Sequence, residues 1–180
     1  LLFGLDAYLA VADAHMAGLE TLMAGGGDIS RVHGVASVFV SRIDTQIDKE
    51  IDRRLSGGAG SDADALRALR GKVAIANSKV AYQRYLEMLE TPRWRALAAA
   101  GAAPQRLLWA STGTKDPAYS DILYVETLVG PDTINTMPVK TLDAFRDHGT
   151  VRVALTEDLG AAQAVLAAAE RQGLDLNGVA

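Results

Sequence analysis

The stretch Gly34 to Asp48, Gly-Val-Ala-Ser-Val-Phe-Val-Ser-Arg-Ile-Asp-Thr-Gln-Ile-Asp, decides the fold, because it joins a strand, a turn and the start of a helix. Val35 to Val40 is short, apolar and rich in β-branched residues, the pattern of a strand covered on both faces in a parallel sheet. Side chains alternate along a strand, so Val35, Ser37 and Phe39 share one face while Ala36, Val38 and Val40 share the other. A hydroxyl therefore sits beside an aromatic ring. Beyond the strand, Ile43, Ile47, Ile51 and Leu55 recur every fourth residue, predicting a helix that lays one apolar stripe on its neighbours. Arg42 then falls at the C-terminal mouth of the strand.

Around this unit the chain alternates strand and helix signals. Leu1-Leu2-Phe3 reads as the tail of a strand, and Leu5 to Met23 as a helix ended by Gly25-Gly26-Gly27. The acids and arginines of the helix after Ile43, including Asp44, Asp48 and Asp52, are expected to form a solvated face. After the glycine-rich run at 56–60, Ser61 is expected to cap one long helix carrying Leu66, Leu69, Val73, Ala76 and Val80, extended by Tyr82, Tyr85, Leu86 and Leu89. Thr91-Pro92 caps a short helix that stops at Gly101.

Gln105 to Ala110 is the next strand, followed by Ser111-Thr112-Gly113-Thr114-Lys115. Asp116 as N-cap and Pro117 at the first helical position predict a helix through Ile122, Leu123, Glu126 and Val129 that stops at Gly130-Pro131. Lys115, ahead of that helix start, is placed to hold a phosphate as a point charge, and equally fits a solvated loop lysine. Thr133 to Thr136 is a last strand, Val139 to His148 its helix, and Thr156-Glu157-Asp158 opens a final helix ending at Gly173. Strands each followed by a helix indicate parallel βαβ units. A doubly wound open sheet is the alternative, but no GxGxxG or P-loop pattern is present.

Composition narrows the function. A chain of 180 residues with a 49% hydrophobic fraction suits one soluble domain. A net charge of -4 with no basic block recommends neither nucleic acid nor an anionic membrane as partner. The absence of cysteine removes thiol nucleophiles and disulfides. His15, His33 and His148 lack partners at ligand spacing, so no metal site is expected. No apolar stretch is long enough to span a bilayer and no signal-peptide pattern opens the chain, which makes cytoplasmic the default expectation.

Ser37, Phe39 and Arg42 in the frame Ser-Val-Phe-Val-Ser-Arg-Ile-Asp resemble the sixth barrel strand of transaldolases, in a bacterial subgroup more than twice this length. The 108–121 stretch is similar to the seventh strand and loop of the same family, and 133–148 to the last strand and helix. The resemblance implies a (β/α)8 TIM barrel, of which residues 1–180 would be the C-terminal half of a single domain, beginning inside a strand. It implies an active-site serine at Ser37, an aromatic pocket wall at Phe39, and substrate-phosphate contacts from Arg42, Ser111 and Lys115. Read without the family, Ser37 and Arg42 fit a half-buried serine and a solvated arginine. The loop departs from the family's Ala-Ser-aromatic-basic motif, since Thr112-Gly113-Thr114 separates Ser111 from the basic residue, and lysine lacks the bidentate fork of arginine.

The family reaction needs no cofactor. It transfers a dihydroxyacetone unit between sugar phosphates, sedoheptulose 7-phosphate and glyceraldehyde 3-phosphate giving erythrose 4-phosphate and fructose 6-phosphate, in the pentose phosphate pathway. The nucleophile is a Schiff-base lysine on a strand that would precede Leu1; Lys72 and Lys79 lie on a helix and do not replace it. The implied partners are therefore sugar phosphates and the rest of the barrel, and the chain alone is expected to be inactive. The alternatives are a class I sugar-phosphate aldolase and a non-catalytic half-barrel that pairs through its edges.

Overall fold

A computed structural model describes residues 2–176. Its centre is a parallel sheet of β1 (Val35–Phe39), β2 (Arg106–Ala110) and β3 (Ile134–Asn135), in that spatial order. The register pairs Ser37 with Leu108 and Phe39 with Ala110. Leu2 joins as a parallel bridge beside Val38, its N-H donating to the Ser37 carbonyl at 3.2 Å and its carbonyl accepting from Phe39 N at 2.8 Å. The N-terminal strand expected over Leu1–Phe3 is thus a single bridge, with Leu1 outside the described residues. The expected last strand is likewise shortened to two residues.

Helices cover one face of this sheet. They are α1 (Leu5–Ala24), α2 (Ser41–Ser56), α3 (Ala63–Leu69), α4 (Val73–Leu89), α5 (Pro92–Ala99), α6 (Leu123–Glu126), α7 (Val139–His148) and α8 (Leu159–Arg171). Ala36, Val38, Leu107 and Trp109 point into them and are buried together with Ile43, Ile47 and Ile51 of α2 and Tyr8 and Ala12 of α1. α4 runs through the middle of the helical layer, with Tyr82 and Tyr85 against the sheet side and Ala76 and Val80 against Ala162 of α8. A satellite core of Met16, Leu19, Ile29, Trp94 and Leu97 closes α1 against α5.

The expectation that both faces of β1 are covered is corrected. Burial alternates, with Ala36 and Val38 inside, Ser37 and Phe39 half-buried and Val35 exposed. Three strands and a bridge cannot curl into a closed wall, so among the described residues the second face has nothing opposite it. The sheet and its order are those of consecutive βαβ units.

Two expected helices differ. The long helix after Ser61 is broken at Arg70-Gly71-Lys72, where Gly71 takes a left-handed φ of +65°. Ser61 caps nothing by its side chain. Helical periodicity runs through the break because both segments face the same core. The helix expected from Asp116 is a set of turns, and only Leu123–Glu126 is helical. Asp116 does accept a backbone N-H through its side chain, from Ala118 at 2.9 Å, and so caps a turn rather than a helix. Tertiary ties of Tyr119 and Tyr124, described below, hold the remainder out of a regular helix.

Candidate functional site

The end of β1 assembles the first part of the site. Alternation puts Ser37 and Phe39 on the open face, and Phe39 stacks on Phe3 with ring centroids 5.4 Å apart. The Arg42 guanidinium lies over the other part of this aromatic surface, 4.6 Å from the Phe39 ring centroid. Arg42 is the second residue of α2, so the positive end of a 16-residue helix adds to its charge. The structure therefore brings Ser37, Phe39 and Arg42 to one rim, and no hydrogen bond or ion pair to another described residue occupies Arg42.

The loop after β2 is laid against that rim. Ser111 has φ 58°, a left-handed conformation uncommon for a residue with a side chain. Its carbonyl accepts from Ser41 N at 3.0 Å, and its hydroxyl is 2.9 Å from the Ser41 hydroxyl. Ser41, fully buried and next to Arg42, has no role in the sequence pattern that would single it out. Its only signal is that a serine follows β1 and another follows β2. Thr112, also buried, donates to Asn135 Oδ1 at 2.7 Å with the Thr136 carbonyl 2.9 Å away. Gly113 lets the loop press on α7, since a Cβ there would stand 3.1 Å from Pro138 Cγ. The inserted Thr112-Gly113-Thr114 is thus a packed corner.

Lys115 goes elsewhere. It is exposed and lines a cleft of about 340 Å³ on the helix side, together with Asp44, Asp48, Asp52, Arg70 and Tyr119. The structure does not bring it against Arg42. For Asp44 and Asp48, which are buried, this overturns the expectation that the acids of α2 form a solvated face, while Asp52 and Arg53 stay exposed as expected. Asp44 Oδ1 accepts from Ala74 N at 2.9 Å and Oδ2 from the Tyr124 hydroxyl at 2.8 Å. Asp48 Oδ1 accepts from Gly71 N at 3.1 Å and Oδ2 from the Tyr119 hydroxyl at 2.7 Å. The two carboxylates supply the partners that the broken α3–α4 corner would otherwise lack.

Burial pushes the Asp44 carboxyl up to about 6, against the pull of its hydrogen bonds from Ala74 and Tyr124. Asp48 is raised by the same cause, opposed by Tyr119 and Gly71. Burial raises the Tyr119 and Tyr124 phenols, and the carboxylates facing them raise them further. Both tyrosines are therefore neutral donors at any ordinary pH. Arg70 completes the group, bridging Asp52 at 3.0 Å and Asp116 at 3.3 Å.

None of the chain's five lysines stands on a strand: Lys49, Lys79 and Lys140 are on helices, Lys72 is at the start of α4 and Lys115 is in the loop. Lys79 is engaged with the Glu157 carbonyl at 2.8 Å. No described helix is long and apolar enough to cross a membrane.

The sequence pattern of the Transaldolase/Fructose-6-phosphate aldolase family matches residues 1–180. Transaldolase 1 of Streptomyces avermitilis is 51% identical over 180 residues, covering 99% of this chain and 46% of that protein. The transaldolase of Thermobifida fusca is 51% identical over 180 residues, covering 99% of this chain and 47% of its own. That of Trichodesmium erythraeum is 52% identical over 149 residues, or 82% of this chain and 39% of its own. The chain spans about half the length of the curated relatives it matches. A match over the whole chain, joined to a parallel sheet with a serine, an aromatic ring and an arginine at one strand end, places this chain in the transaldolase/fructose-6-phosphate aldolase family.

Proposed function

We propose that the chain is part of a transaldolase that passes a dihydroxyacetone unit from a ketose phosphate to an aldose phosphate through a lysine Schiff base. The observation that carries this is the Arg42 guanidinium resting on Phe39 at the C-terminal end of β1, where a parallel barrel keeps its chemistry. Arg42 holds the substrate phosphate, an anion whose geometry suits the guanidinium fork. Ser111, tied to the residue before Arg42, offers the phosphate a hydroxyl, whereas Lys115, turned into the helix-side cleft, adds charge only from a distance. Phe39 and Phe3 wall the carbon chain, and Ser37, one step deeper on the open face, stands near the reacting carbons.

The covalent steps belong to groups outside this set. An unprotonated lysine amine adds to the ketose carbonyl and loses water. The bond between the neighbouring carbinol carbon and the next one breaks as the hydroxyl on the farther carbon gives up its proton, and that fragment leaves as an aldehyde. The retained enamine adds to the acceptor aldehyde, whose oxygen takes up a proton, and water hydrolyses the new imine to free the product and the amine. A strand-borne lysine suits this step, and the five lysines here are off the strands. We therefore place the nucleophile in the remainder of a barrel, with cytoplasmic sugar phosphates of the pentose phosphate pathway as substrates. Phosphate binding at Arg42 positions them for chemistry performed opposite it.

The test is Arg42→Ala in the full-length enzyme, assayed with phosphorylated and unphosphorylated sugars. Loss of a charge-assisted contact to a remote group should cost about 2–4 kcal/mol in kcat/KM for the phosphorylated substrates and far less for the others. Equal losses for both, with the fold intact, sink the assignment. The family description also names fructose-6-phosphate aldolase, which supports a second reading as an aldolase. Turnover of a ketose phosphate without any acceptor aldose would favour it.

A further inference from the structure

The loop that carries Ser111 and Lys115 is held from outside by a polar group that the proposed reaction does not use. Between Lys115 and Tyr124 the chain is mostly turns, with only the single helical turn of α6 at its end, and little backbone hydrogen bonding of its own stiffens it. Its fixed points are side chains. Asp116 is paired with Arg70 at 3.3 Å, the Tyr119 hydroxyl donates to Asp48 at 2.7 Å, and the Tyr124 hydroxyl donates to Asp44 at 2.8 Å. Asp44 and Asp48 stand on α2, within the two turns that follow Arg42, and Asp52, one turn on, holds Arg70 at 3.0 Å. The Tyr119 ring is also wedged on Gly71, where a Cβ would stand 2.7 Å from Cζ.

We infer that Tyr119, Asp48 and Arg70 are positioning residues that set where the Ser111–Asp116 loop stands relative to Arg42, and so tune the affinity for the substrate phosphate. The inference rests on the phosphate assignment proposed above. One helix, α2, then carries both the arginine and, through its acids, the register of the opposite loop. A looser loop would not change the reacting carbons, which lie toward Ser37 on the open face. It would weaken the grip on the phosphate.

The full-length enzyme tests this with Tyr119→Phe, which removes one hydroxyl and keeps the ring on Gly71. Losing a hydrogen bond to a carboxylate should raise KM for a phosphorylated donor roughly five- to tenfold and weaken competitive inhibition by inorganic phosphate by the same factor, with kcat changed less than about twofold. KM for an unphosphorylated donor should stay put. In a Ser111→Ala background the Tyr119→Phe effect should largely vanish, because the loop hydroxyl it positions is gone. Asp48→Asn, which keeps an acceptor oxygen but removes the charge, should show the same selectivity in weaker form, and it serves if the phenylalanine variant fails to fold. The inference is overturned if Tyr119→Phe or Asp48→Asn changes both donors alike, or if the Tyr119→Phe effect persists undiminished without the Ser111 hydroxyl. Arg42→Ala separates the two layers: selective loss there with no selectivity at Tyr119 leaves the phosphate assignment standing and removes only the positioning role. Unselective loss at Arg42 removes both.

Discussion

The two sides of the sheet are built from the same alternating strands and do opposite things. On the helix side, Ala36, Val38, Leu107 and Trp109 are sealed, and the carboxylates that accompany them are matched hydrogen bond for hydrogen bond: Asp44 with Ala74 and Tyr124, Asp48 with Gly71 and Tyr119. On the open side, no described residue hydrogen-bonds the Ser37 hydroxyl or the Arg42 guanidinium, and Arg42 rests on the Phe39 ring. Burying a charge favours pairing it, and a group that is to bind a ligand stays free for it. For the carboxylates, pairing marks scaffold apart from the candidate site where residue type does not, although Trp109 Nε1 and the Tyr8 and Tyr85 hydroxyls on the sealed side have no hydrogen-bond partner among the described residues.

Substitution of neighbours on β2 gives the largest expected contrast. Trp109→Ala, on the sealed face, should destabilise the enzyme by about 3–5 kcal/mol, whereas Leu108→Ala, half-buried on the open face, should cost well under half of that. Urea unfolding of both variants checks it, and equal losses would mean that the open face is as well packed as the other in the full-length enzyme.

At the α3–α4 corner the expected effect is smaller. Gly71→Ala forces a side chain into a φ of +65° and against the Tyr119 ring, at a cost of about 1–3 kcal/mol. The same variant should lower affinity for inorganic phosphate, because it displaces the tyrosine that steadies the loop. A stable Gly71→Ala enzyme with unchanged phosphate affinity would disconnect the scaffold side from the site.

The smallest effect is in pH dependence. Burial raises the Asp44 carboxyl from its ordinary range to about 6, so the folded state holds a proton that the unfolded chain has released. The contribution of Asp44 to stability is then fully present below the unfolded value near 4 and is lost as pH rises through 6. Asp44→Asn has no such proton. Its stability relative to the parent enzyme should improve by about 1 kcal/mol on going from about pH 5 to about pH 8, read as the change in the difference between the two urea midpoints. A constant difference would show that the hydrogen bonds from Ala74 and Tyr124 fully offset the burial of the charge.

Local pattern determined much of this protein. Alternation over Val35–Val40 is enough to put Ser37 and Phe39 on one face, and spacing at Ile43, Ile47 and Ile51 identifies the buried stripe of α2, because both depend only on backbone periodicity. The family resemblance is carried instead by residue identities in short motifs at Ser37–Arg42 and Leu108–Asp121, which are local too. Tertiary structure alone decided three other matters. It broke the helix after Ser61 at Gly71, where two carboxylates from α2 take the freed N-H groups of a new helix start. It kept Asp116 to Ile122 out of a helix despite the Asp-Pro start, since the Asp48–Tyr119 and Asp44–Tyr124 bonds and the Arg70–Asp116 pair hold that segment to α2. It also took Asp44 and Asp48 out of the solvated face of α2 and buried them, leaving Asp52 exposed. Each outcome depends on partners 23 to 80 positions away in the chain. Charged and turn-forming residues carry no mark of which distant donor will meet them, whereas an apolar stripe needs only to be apolar.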